Sequence, residues 1–193
     1  MHPFLVSAVT VGLGEIGDKT QLLALMLVLR YRQPWVILAG ILLATVSNHL
    51  LAALAGDWLR SLLTPGVLRW GVGLSLLAVA AWTLKPDKLD EEEIKPAAGR
   101  GLFWLTVVSF FLAEIGDKTQ IATAVLAARY GHLLLVVAGT TLGMMAANAP
   151  AVLLGHRLGE RVPLDWVRRG AALLFAAQGV LVLLGYGAGL GSG

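Results

Sequence analysis

An eight-residue segment with three ionisable side chains occurs twice in this chain, as GEIGDKTQ at residues 14–21 and as AEIGDKTQ at residues 113–120. Each copy lies within a long apolar stretch that carries no other charge. A charged side chain at the centre of a bilayer costs about 3 kcal/mol on insertion scales, and such groups usually mark an ion or substrate path. The duplicated segment is therefore the first candidate for function.

The two copies together offer a set of hard oxygen donors. The expected metal ligands are Glu15, Asp18, Gln21, Glu114, Asp117 and Gln120, with Lys19, Thr20, Lys118 and Thr119 around them. Oxygen ligands suit Ca²⁺, Mn²⁺ and Mg²⁺. Four carboxylates and two ammonium groups carry a net charge of about −2 when all are ionised, which balances one divalent cation. Protonation would weaken such a site, so metal and protons could compete for the same residues.

The spacing within each copy predicts which side chains converge. Residues three apart share a face of a regular helix, so Glu15 and Asp18 should project together, as should Glu114 and Asp117. The glutamines then drift off that face and the threonines point elsewhere. The glycines of the motif allow a different arrangement. A helix broken at Gly17 would add backbone carbonyl oxygens as ligands, and the side chains of the motif would then point in other directions.

Other polar side chains lie within apolar stretches. Asn48 and Asn148 could each donate an amide oxygen to the site or simply bridge two helices. His49 could relay protons or serve packing alone, and Gln178 is expected to form an interhelical hydrogen bond.

The composition predicts an all-α polytopic membrane protein. Of the 193 residues, 57% are hydrophobic and 14% are charged, whereas soluble domains carry about 25% charged residues. Six stretches are long and apolar enough to span a bilayer. They are Phe4–Leu29, Trp35–Ala55, Val67–Leu84, Leu102–Ala128, Leu133–Leu154 and Gly170–Tyr186.

An internal duplication organises these six stretches. A shift of 99 positions, without gaps, superimposes the two motifs and also matches Leu27 with Leu126 and Gly40 with Gly139. Because each copy has three spans, an odd number, the second copy enters the membrane from the side opposite to the first. The prediction is two inverted three-helix repeats, residues 1–84 and 101–193, joined by a charged cytoplasmic linker at 85–100. Transporters built in this way bind their substrate near the midplane, where the repeats meet.

The distribution of basic residues predicts the orientation. Positive loops stay cytoplasmic, and most of the basic residues, including those of the 85–100 linker, fall on one side. Only Arg60, Arg69 and Arg129 fall on the other. Both termini should therefore face outward, in what we expect to be a bacterial inner (plasma) membrane.

On these residues the chain resembles the transmembrane protein 165 (Gdt) family, also called calcium/cation antiporter-2. Two copies of E-φ-G-D-K-T-Q, one on the first helix of each half and separated by an acidic linker, carry the resemblance. It implies transport of Mn²⁺ or Ca²⁺ in exchange for H⁺, with Glu15, Asp18, Glu114 and Asp117 as the core of the cation site. The chain is similar to compact bacterial members, for which Mn²⁺ export is the expected role.

Three alternatives remain open at this point. An intramembrane aspartyl protease would need a G-x-G-D motif, but glutamate replaces its first glycine in both copies. An exporter of small amino acids also often has six helices, and a cation channel or uniporter would lack coupling to protons. No enzymatic activity, prosthetic group or nucleic-acid partner is expected; the partners are the cation, protons and the lipid bilayer, and a homodimer is left open.

Overall fold

The computed structural model describes residues 2–85, 101–154 and 164–186, and its regular structure there is entirely helical. Two groups of four helices follow one another along the chain. They are α1 (Pro3–Glu15), α2 (Lys19–Tyr31), α3 (Pro34–Leu62), α4 (Pro65–Thr83), α5 (Leu102–Glu114), α6 (Lys118–Tyr130), α7 (Leu133–Leu154) and α8 (Leu164–Leu183).

Within the described residues, four helices are long and apolar enough to cross a membrane. They are α3, α4, α7 and α8, the last over Asp165–Leu183. Helices α1 and α5 are apolar but have only 13 residues each. Large apolar side chains are exposed along these helices, including Leu134 at 76% and Trp35 at 73%. Such a surface suits lipid, and the chain is an integral membrane protein by these features.

The first and fourth predicted spans are each broken in the middle, which corrects the continuous helices expected for Phe4–Leu29 and Leu102–Ala128. Helix α1 ends at Glu15 and α2 begins at Lys19; α5 ends at Glu114 and α6 begins at Lys118. The glycine of each motif has positive φ, 81° at Gly17 and 76° at Gly116. Only glycine adopts this conformation readily, so the motif itself interrupts both helices.

The remaining boundaries are close to the expected ones. Helix α3 extends beyond Trp35–Ala55 at both ends, α4 agrees with Val67–Leu84 to within two residues, and α7 spans Leu133–Leu154 as expected. Helix α8 begins before Gly170 and ends before Tyr186. Nearly all of the predicted linker, residues 86–100, lies outside the described residues.

The two halves of the chain pack against each other through equivalent glycines. A Cβ on Gly40 of α3 would lie 2.7 Å from Thr106 of α5, and a Cβ on Gly139 of α7 would lie 3.0 Å from Ser7 of α1. These contacts are equivalent, because a shift of 99 residues converts Gly40 into Gly139 and Ser7 into Thr106. Small residues let helices approach closely in membranes. The close approach brings both broken helices into contact with the opposite half.

Candidate metal centre

The acidic side chains of each motif lie on either side of a helix break. Glu15 and Glu114 are the last residues of α1 and α5, while Asp18 and Asp117 are the N-caps of α2 and α6. The Asp117 carboxylate accepts a bond of 3.2 Å from the Thr119 backbone N–H. The expectation of a regular helix through each pair is therefore wrong, because three residues of extended or left-handed backbone separate the two helical segments. Glu114 and Asp117 nevertheless come together, as predicted.

The break turns the motif threonines toward the glutamates. Thr20 Oγ1 donates to Glu15 Oε2 at 2.7 Å, and Thr119 Oγ1 donates to Glu114 Oε2 at 3.1 Å. All four side chains are fully buried. On an unbroken helix these threonines would have pointed elsewhere, so the broken backbone makes them partners of the acidic residues.

The motif glutamines stabilise the breaks and reach the opposite half. Gln21 Oε1 accepts from the Gly17 N–H at 2.9 Å, and Gln120 Oε1 accepts from the Gly116 N–H at 2.8 Å. Their Nε2 groups form the links across the repeats, Gln21 to the carbonyl of Ala147 at 2.9 Å and Gln120 to Asn48 Oδ1 at 3.3 Å.

These links reach equivalent positions in the two halves. Residues 48 and 147 are related by the shift of 99, so each glutamine contacts the same place on the opposite repeat. Sequence reasoning missed the Ala147 carbonyl because an alanine side chain gives no signal, although the repeat register would have pointed to it.

Three of the four motif carboxylates converge. Glu15, Glu114 and Asp117 are buried, and each offers an oxygen that lies within 4.8 Å of those of the other two. The Oε1 atoms of both glutamates have no hydrogen-bond partner among the described residues. Buried polar atoms normally have partners, and carboxylate oxygens at this spacing are the ligands that hard divalent cations take. The donor set fits such a cation.

The fourth carboxylate has a different environment. Lys118 Nζ of the second motif donates to Asp18 Oδ1 of the first, and both side chains are buried. Lys19, at the start of α2, is only partly buried. The four acids that the sequence presents as equivalent are thus divided into a cluster of three and an ion-paired aspartate.

The polar residues of α3 and α7 have unequal roles. Asn48 bridges helices, because it accepts from Gln120 and also donates through Nδ2 to the Phe111 carbonyl at 3.0 Å. Asn148 donates to Met144 of its own helix at 3.1 Å, and its buried Oδ1 has no partner in the described part of the chain. His49 is buried, and neither of its ring nitrogens has a partner there.

Comparison with known proteins identifies the family. The family model described as "Divalent cation/proton antiporter GDT1" matches residues 3–91 and 102–188. The chain belongs to this family. The match covers both halves, including both copies of the motif, and it confirms the resemblance seen in the motif residues. GDT1 proteins form a family of transporters rather than of enzymes. The chain is accordingly a membrane protein that transports divalent cations.

Relatives of known name agree with this assignment. A Vibrio cholerae protein named "Putative manganese exporter" is 49% identical over 176 residues, which cover 91% of this chain and 87% of the relative. A Synechocystis protein named "GDT1-like protein sll0615" is 31% identical, covering 89% and 94% of the two chains. "GDT1-like protein 4" of Oryza sativa subsp. indica is 30% identical, covering 89% and 69%. No solved structure matches this chain.

Proposed function

We propose that this GDT1 member exports Mn²⁺ across the bacterial inner membrane in exchange for H⁺. The observation that carries the proposal is the convergence of Glu15, Glu114 and Asp117, which come from both motifs and meet in the protein interior. A cluster of buried carboxylates is costly unless a cation or protons compensate its charge. A transported cation that alternates with protons supplies that compensation.

The architecture that we infer has six spans in two inverted repeats. Helices α1 and α2 together make one broken span, and α5 and α6 make another; α3, α4, α7 and α8 are the remaining four. Broken helices at membrane depth are accommodated where they line a substrate site. Residues 1–84 and 101–193 are then the two repeats, with both termini outside, and the cation site lies near the midplane.

The ligand set that we infer has the carboxylate cluster as its centre. The free Oε1 atoms of Glu15 and Glu114 are the direct donors, together with Asp117. Thr20 and Thr119 orient the two glutamates through their hydroxyl groups. The remaining positions, Asp18, Lys19, Gln21, Lys118, Gln120, Asn48 and Asn148, support the site by fixing its backbone, its charge and its contacts between repeats.

Proton exchange follows from the same residues. A carboxylate binds either the cation or a proton, and the cation requires the ionised form. On the outer side the site releases Mn²⁺ and takes up protons, and on the cytoplasmic side it releases those protons and binds the next Mn²⁺, so both ions use one site in alternation. No prosthetic group is required, since Mn²⁺ is cargo and H⁺ is the counter-ion.

The choice of Mn²⁺ over Ca²⁺ is supported by the name of the Vibrio cholerae relative. The ligand chemistry is compatible with either ion, because both accept carboxylate and carbonyl oxygens.

The test is flux through proteoliposomes that contain the purified full chain and a pH-sensitive dye. Wild type should take up Mn²⁺ with simultaneous proton exit, and Glu114→Gln should lose both fluxes. The matched control is Asp57→Asn, because Asp57 is an exposed carboxylate on α3. It should transport at the wild-type rate.

The other outcomes separate the alternatives. Mn²⁺ flux without proton movement would indicate a channel or uniporter, and Ca²⁺ flux in preference to Mn²⁺ would change the cargo. Absence of flux for both metals in wild type would contradict the proposal, and export of small amino acids would then be the favoured function. Normal exchange in Glu114→Gln would show that the site lies elsewhere.

A further inference from the structure

A second buried polar group, apart from the cation cluster, connects α1, α6 and α8. Gln178 Nε2 donates to Thr10 Oγ1 at 2.7 Å, and Arg129 Nη1 donates to Gln178 Oε1 at 3.4 Å. None of the three side chains is more than 7% exposed. Buried polar side chains are costly without partners, so this chain of hydrogen bonds defines how the three helices meet.

The polar chain lies one layer away from the cation cluster. A Cβ on Gly14, next to Glu15, would be 3.5 Å from the Phe175 ring and 3.7 Å from the Thr119 methyl group. Phe175 is therefore beside the cluster, and it is fully buried. Thr10 is about one helical turn before Gly14 on α1.

Gln178 and Arg129 lie on the same side of the cluster as Thr10. Gln178 is about one turn after Phe175 on α8, so it lies farther from the cluster than the phenylalanine does. Arg129 is in the last turn of α6, far along that helix from Thr119. The order from the cluster is thus the Phe175 ring, then the bond between Gln178 and Thr10, then Arg129. This layer covers the side on which α1 begins and α6 ends.

Three of the four equivalent positions in the other repeat differ in residue type or in burial, while Thr10 corresponds to Ser109, which is also polar and buried. The shift of 99 places Leu76 at Phe175, Val79 at Gln178, and Arg30 at Arg129. Leu76 and Val79 belong to an apolar cluster that also contains Phe175, and Arg30 is exposed. Among the described residues, the polar chain is thus specific to one side of an otherwise repeated structure.

We propose that Phe175, Gln178, Thr10 and Arg129 form a closed gate between the cation site and the membrane face on which α1 begins. This inference rests on the proposed transport function. An exchanger must seal one side while the other is open. Phe175 excludes water beside the site, and the hydrogen bonds hold α1, α6 and α8 together in a way that can be broken and re-formed during each cycle.

The test uses the natural absence of cysteine from the chain. Ala122→Cys places a single reporter in α6 that is buried in the same apolar cluster as Phe175. In this background, Thr10→Val removes the hydroxyl group but keeps the side-chain shape, while Thr10→Ser retains the hydroxyl. A membrane-impermeant maleimide, added from the α1 side of proteoliposomes, reports opening. Thr10→Val should label about three- to tenfold faster, the range expected for one lost hydrogen bond, and Thr10→Ser should label at the parent rate.

Further variants distinguish a gate from general loosening. Gln178→Val should raise labelling at least as much as Thr10→Val, because it removes the bond to Thr10 and also the bond from Arg129. The double variant should add little to Gln178→Val, since both changes remove the bond between Gln178 and Thr10. Thr83→Val is the matched control, since Thr83 is buried and its hydroxyl donates at 2.8 Å within α4 only. It should leave labelling unchanged. Equilibrium Mn²⁺ binding should stay within about twofold in every variant, because none of the substituted residues belongs to the inferred ligand set.

The contrary results are equally specific. Equal labelling of Thr10→Val and Thr10→Ser, or an equal rise in Thr83→Val, would overturn the gate. Loss of Mn²⁺ binding in Thr10→Val would show that Thr10 acts on the site instead. A wild-type protein that binds no Mn²⁺ would contradict the proposed function, and this is measured separately from the labelling.

Discussion

Lys118 of the second motif donates a buried hydrogen bond to Asp18 of the first. Asp18 occupies the N-cap position of α2 and Lys118 is the first residue of α6, so the pair joins the starts of the two helices that follow the breaks. It also removes one of the four motif carboxylates from the cluster of Glu15, Glu114 and Asp117. The ion pair therefore both connects the repeats and makes the four acids unequal.

Removal of Lys118 should destabilise the protein strongly. Lys118→Met leaves a buried carboxylate without this ammonium group, and breaking a buried pair from one side typically costs about 3–5 kcal/mol. We expect a clear fall in the thermal unfolding midpoint of the detergent-solubilised protein. The control is Arg168→Met, which breaks an ion pair whose Asp165 side chain is 80% exposed. That change should cost at most about 1 kcal/mol, and similar losses in both variants would refute the special role of the buried pair.

The hydroxyl group of Thr119 should matter for Mn²⁺ affinity. Its bond to Glu114 Oε2 orients the carboxylate toward the cluster, and hydrogen bonds to charged groups are worth about 1.5–3 kcal/mol. Thr119→Val should weaken Mn²⁺ binding by roughly ten- to a hundredfold by isothermal titration calorimetry, and Thr119→Ser should restore most of it. Equal affinity in the valine and serine variants would show that the hydroxyl does not orient a ligand.

The helix break in the second motif should depend on Gly116. Its φ of 76° is unfavourable for alanine, although a Cβ there would meet no atom within 4 Å. Gly116→Ala should therefore destabilise through the backbone alone, by about 1–3 kcal/mol. Gly71 provides the matched control, because it lies inside α4 and is equally uncrowded. Gly71→Ala should be neutral or stabilise by up to about 1 kcal/mol; the same sign for both unfolding shifts would contradict the requirement for positive φ.

Binding of Mn²⁺ should weaken as the pH falls. Each proton taken up by the carboxylate cluster cancels a negative charge that the cation needs, so cation binding must release protons. Affinity measured from about pH 8 to about pH 6 should decline, and calorimetry in buffers of different ionisation enthalpy should count the protons released. Glu15→Gln should release fewer protons than wild type. An affinity independent of pH would exclude competition at the cluster.

The sequence by itself determined the membrane class, the duplication and the chemical identity of the motif. These follow from composition, from a register of 99 residues and from side-chain types, all of which are visible without coordinates. The expected interhelical role of Gln178 is confirmed by its bond to Thr10. The helix limits were nearly right wherever apolar length alone sets them, as in α4 and α7.

Only the tertiary structure decided how the motif is arranged. The sequence showed that Gly17 could break its helix, but a glycine permits positive φ without requiring it, so the directions of Thr20 and Gln21 were undetermined. Two identical motifs also cannot reveal that Asp18 pairs with Lys118 while Asp117 joins the glutamates. This difference arises from packing between the repeats. Contacts between residues that are far apart in sequence determine that Asp18, and not Asp117, pairs with the Lys118 ammonium group.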